Sequence, residues 1–125
     1  MKSNVIALSV LAAVMIFVSL NTFFVMREID LTISEVDGLV IEETTGDGSD
    51  AEAAERLYRE FLRREKVISL TVSHDDLTNI ETNFAEMCGA LRAREYGQAK
   101  IAKSRLTDAL RHLRRLSGIT IDSII

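Results

Sequence analysis

A chain of 125 residues with a net charge of −4 is long enough for one small domain with a modest core. Its single cysteine, Cys88, excludes an intrachain disulfide framework and a cysteine-based zinc site. The absence of proline favours a chain built mainly of uninterrupted helices.

The longest apolar run lies at residues 5–26, and no charged residue interrupts the chain between Lys2 and Arg27. As a helix, this run is long enough to cross a hydrocarbon core about 30 Å thick. A cleaved signal peptide has a shorter apolar region and small residues at its cleavage site. Here the run ends in bulky residues that include Phe23 and Phe24. We therefore predict an uncleaved transmembrane anchor at residues 5–26, which contacts the lipid bilayer.

The orientation of the anchor is predicted from the basic residues at its two ends. Lys2 and the amino terminus precede the run, and Arg27 follows it. The positive-inside rule counts basic residues close to the span, whereas acidic residues contribute little. This count places residues 1–4 in the cytoplasm. The chain is then a single-pass cell-membrane protein whose carboxyl-terminal domain is extracytoplasmic.

After the anchor, apolar residues such as Ile29 and Val36 recur at helical spacing between acidic residues. This pattern predicts a stalk helix over residues 27–44 that ends in the mid-forties. Glycine-rich residues 45–50 form the clearest break in the chain and are predicted to be a linker. The remaining residues, 51–125, are predicted to form a separate domain.

Three amphipathic helices are predicted in that domain. Ser49 is the predicted N-cap of the first helix, and Ser73 or Asp75 is the predicted N-cap of the second. The third is predicted to begin at Gln98 and to end at Gly118. Short links between such helices imply antiparallel neighbours. The predicted fold is therefore all-α: an anchor continued as a stalk, then an antiparallel bundle of about three helices.

An α+β fold is the alternative. Residues 29–33, 67–72 and 119–125 are rich in β-prone side chains, and together they are candidates for a small sheet. In the all-α interpretation, the apolar residues 119–125 pack back on the bundle instead.

Two segments resemble a known family. Residues 73–81, Ser-His-Asp-Asp-Leu-Thr-Asn-Ile-Glu, and the apolar residues 119–125 are similar to patterns of domain-of-unknown-function family 4363. This family comprises small single-span membrane proteins of spore-forming and related Gram-positive bacteria. Phe61 stands where the family is expected to carry tryptophan, and Ser123 where it usually carries asparagine. The resemblance implies a helical, envelope-facing domain without assigned activity and a larger multi-span membrane partner.

One cluster carries side chains suited to chemistry: His74, Asp75 and Asp76. A metal site needs three or more ligands that converge from several elements, and His112 is the only other histidine. No nucleophile pattern accompanies the cluster. We interpret it as the capped start of a helix, and predict neither an enzyme nor a bound cofactor.

Four cations align on one face of the last predicted helix: Lys100, Lys103, Arg111 and Arg114. They are candidates to face an anionic ligand such as phospholipid headgroups or a wall polymer. The interpretation that we favour is that this basic segment folds against the acidic residues between Arg27 and Glu60. Two isolated aromatic residues do not make a nucleic-acid site, so no nucleic-acid partner is predicted.

These observations predict a non-catalytic, membrane-anchored accessory or interaction module that binds another membrane or envelope protein. The first alternative is an extracytoplasmic sensing domain that uses the basic helix face for anionic partners. A metal-dependent hydrolase using His74, Asp75 and Asp76 is less favoured. Homo-oligomerisation is left open.

Overall fold

The computed structural model describes residues 2–41, 48–68 and 72–124. Within those ranges the chain forms four α-helices and no β-strand. The all-α prediction is confirmed. The helices, in chain order, are α1 (Lys2–Asp37), α2 (Ser49–Ile68), α3 (His74–Arg92) and α4 (Tyr96–Ile124).

The segments considered for a sheet are helical wherever the structure describes them as part of an element. Residues 29–33 lie in the middle of α1, residues 67–68 end α2, and residues 119–124 end α4. Residues 69–71 lie outside the described part of the chain. Ile29, Thr32 and Ile68 are buried, so at these positions packing along a helix face overrides the local β-propensity.

The helix α1 is continuous over 36 residues, and it contains the whole predicted anchor. Its amino-terminal part is long and apolar enough to cross a membrane, with a mean hydropathy of 2.3 and only 6% of that window buried. Residues 2–17 are all exposed. Helix length and composition thus agree with the predicted span, while its orientation in a membrane stays a prediction.

The helix α1 ends at Asp37, earlier than the mid-forties end predicted for the stalk. The Leu39 amide donates to the Val36 carbonyl at 3.1 Å, a tighter turn than an α-helix makes. Leu39 and Ile41 are then buried, so the chain leaves the helix to cover the core. Of the predicted linker, only its last three residues are described. Gly48 has φ 79°, a conformation that glycine adopts without steric cost.

The four helices form an antiparallel bundle in which α1 and α3 each pack against both α2 and α4. The carboxyl-terminal half of α1 packs as the fourth helix of this bundle, whereas the sequence predicted a stalk outside a bundle of three helices. The buried side chains of this half recur at intervals of three and four residues, a spacing that keeps one helix face against its neighbours. They are Thr22, Val25, Ile29, Thr32 and Val36.

Stacked aromatic rings fill the centre of the bundle. The fully buried Phe84 of α3 lies against two rings of α2, with centroid distances of 5.4 Å to Tyr58 and 5.3 Å to Phe61. Such offset stacking adds about 0.5–1.5 kcal/mol to the free energy gained by burying the rings. These three rings therefore join α2 to α3.

The helix α4 is longer than predicted at both ends. It begins at Tyr96, two residues before Gln98, after a turn in which Arg94 has φ 58°. It also continues through Gly118 to Ile124, so the prediction that Gly118 ends the helix is wrong. That the apolar residues 119–125 pack on the bundle stays a prediction. A Cβ atom at Gly118 meets only Arg114 Nη1, at 3.5 Å, so no close approach or turn requires glycine there.

The bundle has two distinct ends. We call the end beside the exposed half of α1 the proximal end; it contains residues 18–25, 72–76 and 113–117. The opposite, distal end contains residues 38–41 and 92–96, where α1 ends and α3 turns into α4.

Candidate functional site

The predicted cluster of His74, Asp75 and Asp76 forms the first turn of α3 at the proximal end. His74 and Asp75 are exposed, and Asp76 is half-buried. The His74 carbonyl accepts a hydrogen bond of 2.9 Å from Thr78 Oγ1, as an ordinary helix residue does. The two carboxylates lie at the positive end of the helix dipole, where negative charge is stabilising.

The second histidine does not complete a metal site with this cluster. His112 is exposed and precedes Leu113, which lines the same cavity as Asp76, so both histidines lie at the proximal end. Across the described residues, however, no group of three His, Cys, Asp or Glu side chains is placed to hold a metal ion. The capping interpretation of the cluster agrees with this geometry, although Ser73 makes no side-chain cap bond.

The basic face of α4 packs against the acidic half of α1. Arg114 Nε donates to Asp30 Oδ1 at 2.8 Å, and Arg111 Nη2 lies 3.6 Å from Asp37 Oδ2. Lys103 Nζ donates to the Leu39 carbonyl at 2.7 Å. Three of the four predicted anion-facing cations therefore contact the protein itself.

The fourth cation of that set, Lys100, is exposed on α4 beyond these contacts. Together, the four positions favour internal pairing of the acidic and basic segments over a single anion-binding face. Exposed pairs of this kind each contribute about 0–1 kcal/mol, so their main effect is to set the register of α4 on α1.

A charged cluster joins α1 to α2. Within α2, Glu60 and Arg64 have the i,i+4 spacing of a helical ion pair, and their charged groups lie 3.4 Å apart. The stronger contacts cross to α1: Arg64 Nη2 lies 2.9 Å from Glu35 Oε1, and Nε lies 3.1 Å from Glu28 Oε2. Arg64 Nη1 also donates to Thr32 Oγ1 at 3.1 Å.

This cluster is partly buried, with 16% of the Arg64 side chain exposed. The hydrogen bond with Glu35 is the largest cause that raises the pKa of Arg64, so the guanidinium stays charged. The sequence carries a signal for it, since Glu28, Thr32 and Glu35 follow one another at intervals of four and three residues beside the buried stripe. It is a structural clamp between two helices.

Two further groups have shifted pKa values. Loss of water around Glu65 raises the pKa of this carboxyl to about 7, and its hydrogen bond with Glu81 and the charge of Glu81 raise it as well. Burial raises the pKa of the Cys88 thiol to about 11, with a smaller contribution from Glu55. Cys88 is buried, and a thiol with this pKa carries little of the reactive thiolate at neutral pH.

A cleft of about 340 Å³, which we call the proximal cleft, opens where α1, α3 and α4 meet. Sequence reasoning missed it because it depends on how three separate elements meet. Most of its lining is apolar. It is lined by Val18, Thr22, Val25, Val72, Ser73, Asp76, Leu113, Leu116 and Ser117.

No protein-family model, curated protein or solved structure matches this chain. The resemblance to family 4363 therefore stays a prediction, and function has to be argued from the geometry of the chain.

Proposed function

We propose that this protein is a non-catalytic, membrane-anchored interaction module that binds another membrane or envelope protein. One observation carries the proposal: a single uninterrupted helix, α1, is an exposed apolar rod over residues 2–17 and a buried element of the bundle from Thr22 to Val36. A module joined to its span in this way is held at a fixed height above the bilayer. That suits it to contact a partner in the same membrane.

The face of α1 opposite its buried stripe is the surface that we assign to the partner. Large apolar side chains there are exposed, among them Phe23 at 68% and Leu31 at 41%. Arg27 and Arg114 flank the same surface beside a shallow cleft of about 370 Å³. This face continues from the predicted span into the region outside it, as a partner with its own transmembrane helix requires.

The alternatives have less support. An anion-binding role requires the basic face of α4, whose Lys103, Arg111 and Arg114 contact α1. A hydrolase requires convergent catalytic groups around His74, which is exposed at the start of α3.

Crosslinking in living cells tests the proposal. A photoreactive amino acid in place of Leu31 is expected to form one discrete product with a membrane protein. The same amino acid in place of Val40, which is exposed at the distal end, is expected to form none. A product that contains only two copies of this chain, or equal labelling from both positions, contradicts the proposal.

Carboxyl-terminal fusions test the proposed orientation. An alkaline phosphatase fusion is expected to be active, and a fluorescent-protein fusion exported unfolded is expected to be dark. Fluorescence without phosphatase activity places the domain in the cytoplasm and removes the envelope assignment.

A further inference from the structure

The part of α1 in which every side chain is exposed, residues 2–17, is too short to cross a membrane by itself. Residues 2–17 rise about 24 Å, whereas the hydrocarbon core is about 30 Å thick and needs about 20 helical residues. If Lys2 marks the near edge of the hydrocarbon, the far edge lies near residue 22. If Arg27 instead marks the far edge, the hydrocarbon reaches further along α1. In either case Val18 lies inside the hydrocarbon.

The bundle already covers one side of α1 at that level. Val18 and Thr22 line the proximal cleft together with Leu113, Leu116 and Ser117 of α4. Because α4 runs antiparallel to α1, its remaining residues extend towards the amino end of α1, and its helix continues to Ile124. After Arg115 the sequence contains no basic residue and one acidic residue, Asp122, and five of its last ten residues are leucine or isoleucine.

The polar groups that line the cleft on α1 and α4 are suited to lipid. The Thr22 hydroxyl donates to the Val18 carbonyl at 2.8 Å, and the Ser117 hydroxyl donates to the Leu113 carbonyl at 3.0 Å. Both hydroxyls are thus satisfied within their own helices and need no water. The charged group of the cleft, Asp76, comes from the first turn of α3 and is half-buried.

We propose that the proximal end of the bundle is sunk into the adjoining leaflet, and that a lipid acyl chain occupies the proximal cleft. This inference rests on the proposed anchoring of α1 in a membrane. Val18, which lies inside the hydrocarbon in either case, lines the cleft together with the apolar side chains of Val25 and Leu116, and acyl chains are the surrounding solvent at the depth of Val18. Asp76 then lies at the level of the headgroups.

Tryptophan fluorescence tests this depth, since the chain contains no tryptophan. Leu116→Trp introduces an indole at the cleft, and Ile101→Trp is its matched control. Both positions are exposed aliphatic residues of α4, at 39% and 48%, but Ile101 lies towards the distal end. In vesicles of phosphatidylcholine brominated on its acyl chains, the Leu116→Trp variant is expected to lose much of its emission and the Ile101→Trp variant to keep it.

Equal emission from both variants in brominated and ordinary vesicles overturns the proposal, as does equal quenching of both. Extraction with alkaline carbonate separates this failure from failure of the anchor. A Leu116→Trp protein that stays in the membrane while its indole is unquenched keeps the anchor and loses the embedding. A protein released by carbonate loses both.

A spin label provides a second measurement if the larger indole disturbs folding. Leu116→Cys and Ile101→Cys can be labelled selectively because the native Cys88 is buried and its pKa is raised to about 11. The label at position 116 is expected to collide more often with oxygen, and that at position 101 with a water-soluble nickel complex. Preferential collision of both labels with the nickel complex overturns the proposal.

Discussion

The two halves of α1 are parts of one helix, yet they meet different surroundings. Over residues 2–17 every side chain is exposed and most are apolar. Over residues 18–37 one face is buried in the bundle while charged groups such as Glu28 and Glu35 cover its flank. The same helix thus combines an exposed apolar rod with a segment that packs in the core of the bundle. What distinguishes them is the pattern of side chains around the helix.

The largest effect is expected from charges placed on the rod. A charged residue at the centre of a spanning helix costs about 2.5–3.5 kcal/mol on insertion scales, so Val10→Arg with Val14→Arg is expected to prevent stable insertion. Carbonate extraction of membranes should then release the protein. The matched control is Val40→Arg at an exposed valine outside the rod, which should leave it bound. Retention of the double variant in the membrane argues against a spanning α1.

Two isoleucines of α1 report directly on the difference between its halves. Ile29 is 1% exposed in the core and Ile16 is 60% exposed on the rod. Ile29→Ala leaves a cavity and is expected to lower the free energy of unfolding by about 2–5 kcal/mol, whereas Ile16→Ala leaves it unchanged. Denaturant titration of the full chain in detergent micelles measures both. Equal losses show that the two halves do not differ in packing.

Neighbouring arginines of α2 provide the next test. Arg64 reaches α1 and is 16% exposed on its side chain, whereas Arg63 is 77% exposed and pairs only weakly with Glu60 at 4.0 Å. Arg64→Ala leaves Glu28 and Glu35 without this cation, with an expected loss of about 1–3 kcal/mol. Arg63→Ala should change stability by less than about 0.5 kcal/mol. Similar values for both variants contradict the clamp between α1 and α2.

The smallest expected effect is a dependence on pH. The folded-state pKa of Glu65, about 7, lies above its ordinary value of 4.5. The folded state therefore binds this proton more tightly, so its contribution to stability is complete below pH 4.5 and is lost as the pH rises through 7. Glu65→Gln should flatten the stability profile over this range and raise the melting temperature above pH 7.

The control for this prediction is Glu52→Gln, at an exposed position of the same helix. Its pH profile, measured by thermal unfolding in micelles, should follow that of the unaltered protein. A Glu65→Gln profile that also follows it shows that the Glu65–Glu81 pair does not bind the extra proton.

The sequence predicted the elements better than their arrangement. The apolar run of α1, the faces of α2 and α3 and the break near Gly48 all depend on local spacing, which is visible in one dimension. The packing of residues 18–37 as the fourth helix was not predicted, because apolar residues that face lipid and apolar residues that face a core look alike in composition. The sequence placed the boundary between the predicted span and the rest of the chain at Arg27, whereas the buried stripe begins at Thr22.

Long-range pairing accounts for the remaining differences. Arg64 has an acidic neighbour in its own helix, so the local rule found Glu60 and overlooked Glu28 and Glu35. Glycine is typical of the position just after a helix, which is why Gly118 was predicted to end α4. The helix continues because nothing around Gly118 requires a turn or a residue without a side chain there. The charge complementarity of α1 and α4 was predicted correctly, because opposite charges concentrated in two segments of one small domain have few other partners in that domain.

The helix α1 is unbroken between Phe17, the last residue of the rod, and Val18, the first that lies beside the bundle. In the membrane-anchored module that we propose, α1 would respond to a thinner or thicker bilayer by changing its tilt, because no loop separates the span from the bundle. The distal end stands about 30 Å further along the same axis, so it must swing sideways with every such adjustment. Membrane thickness would thereby set the angle at which the domain meets its surroundings.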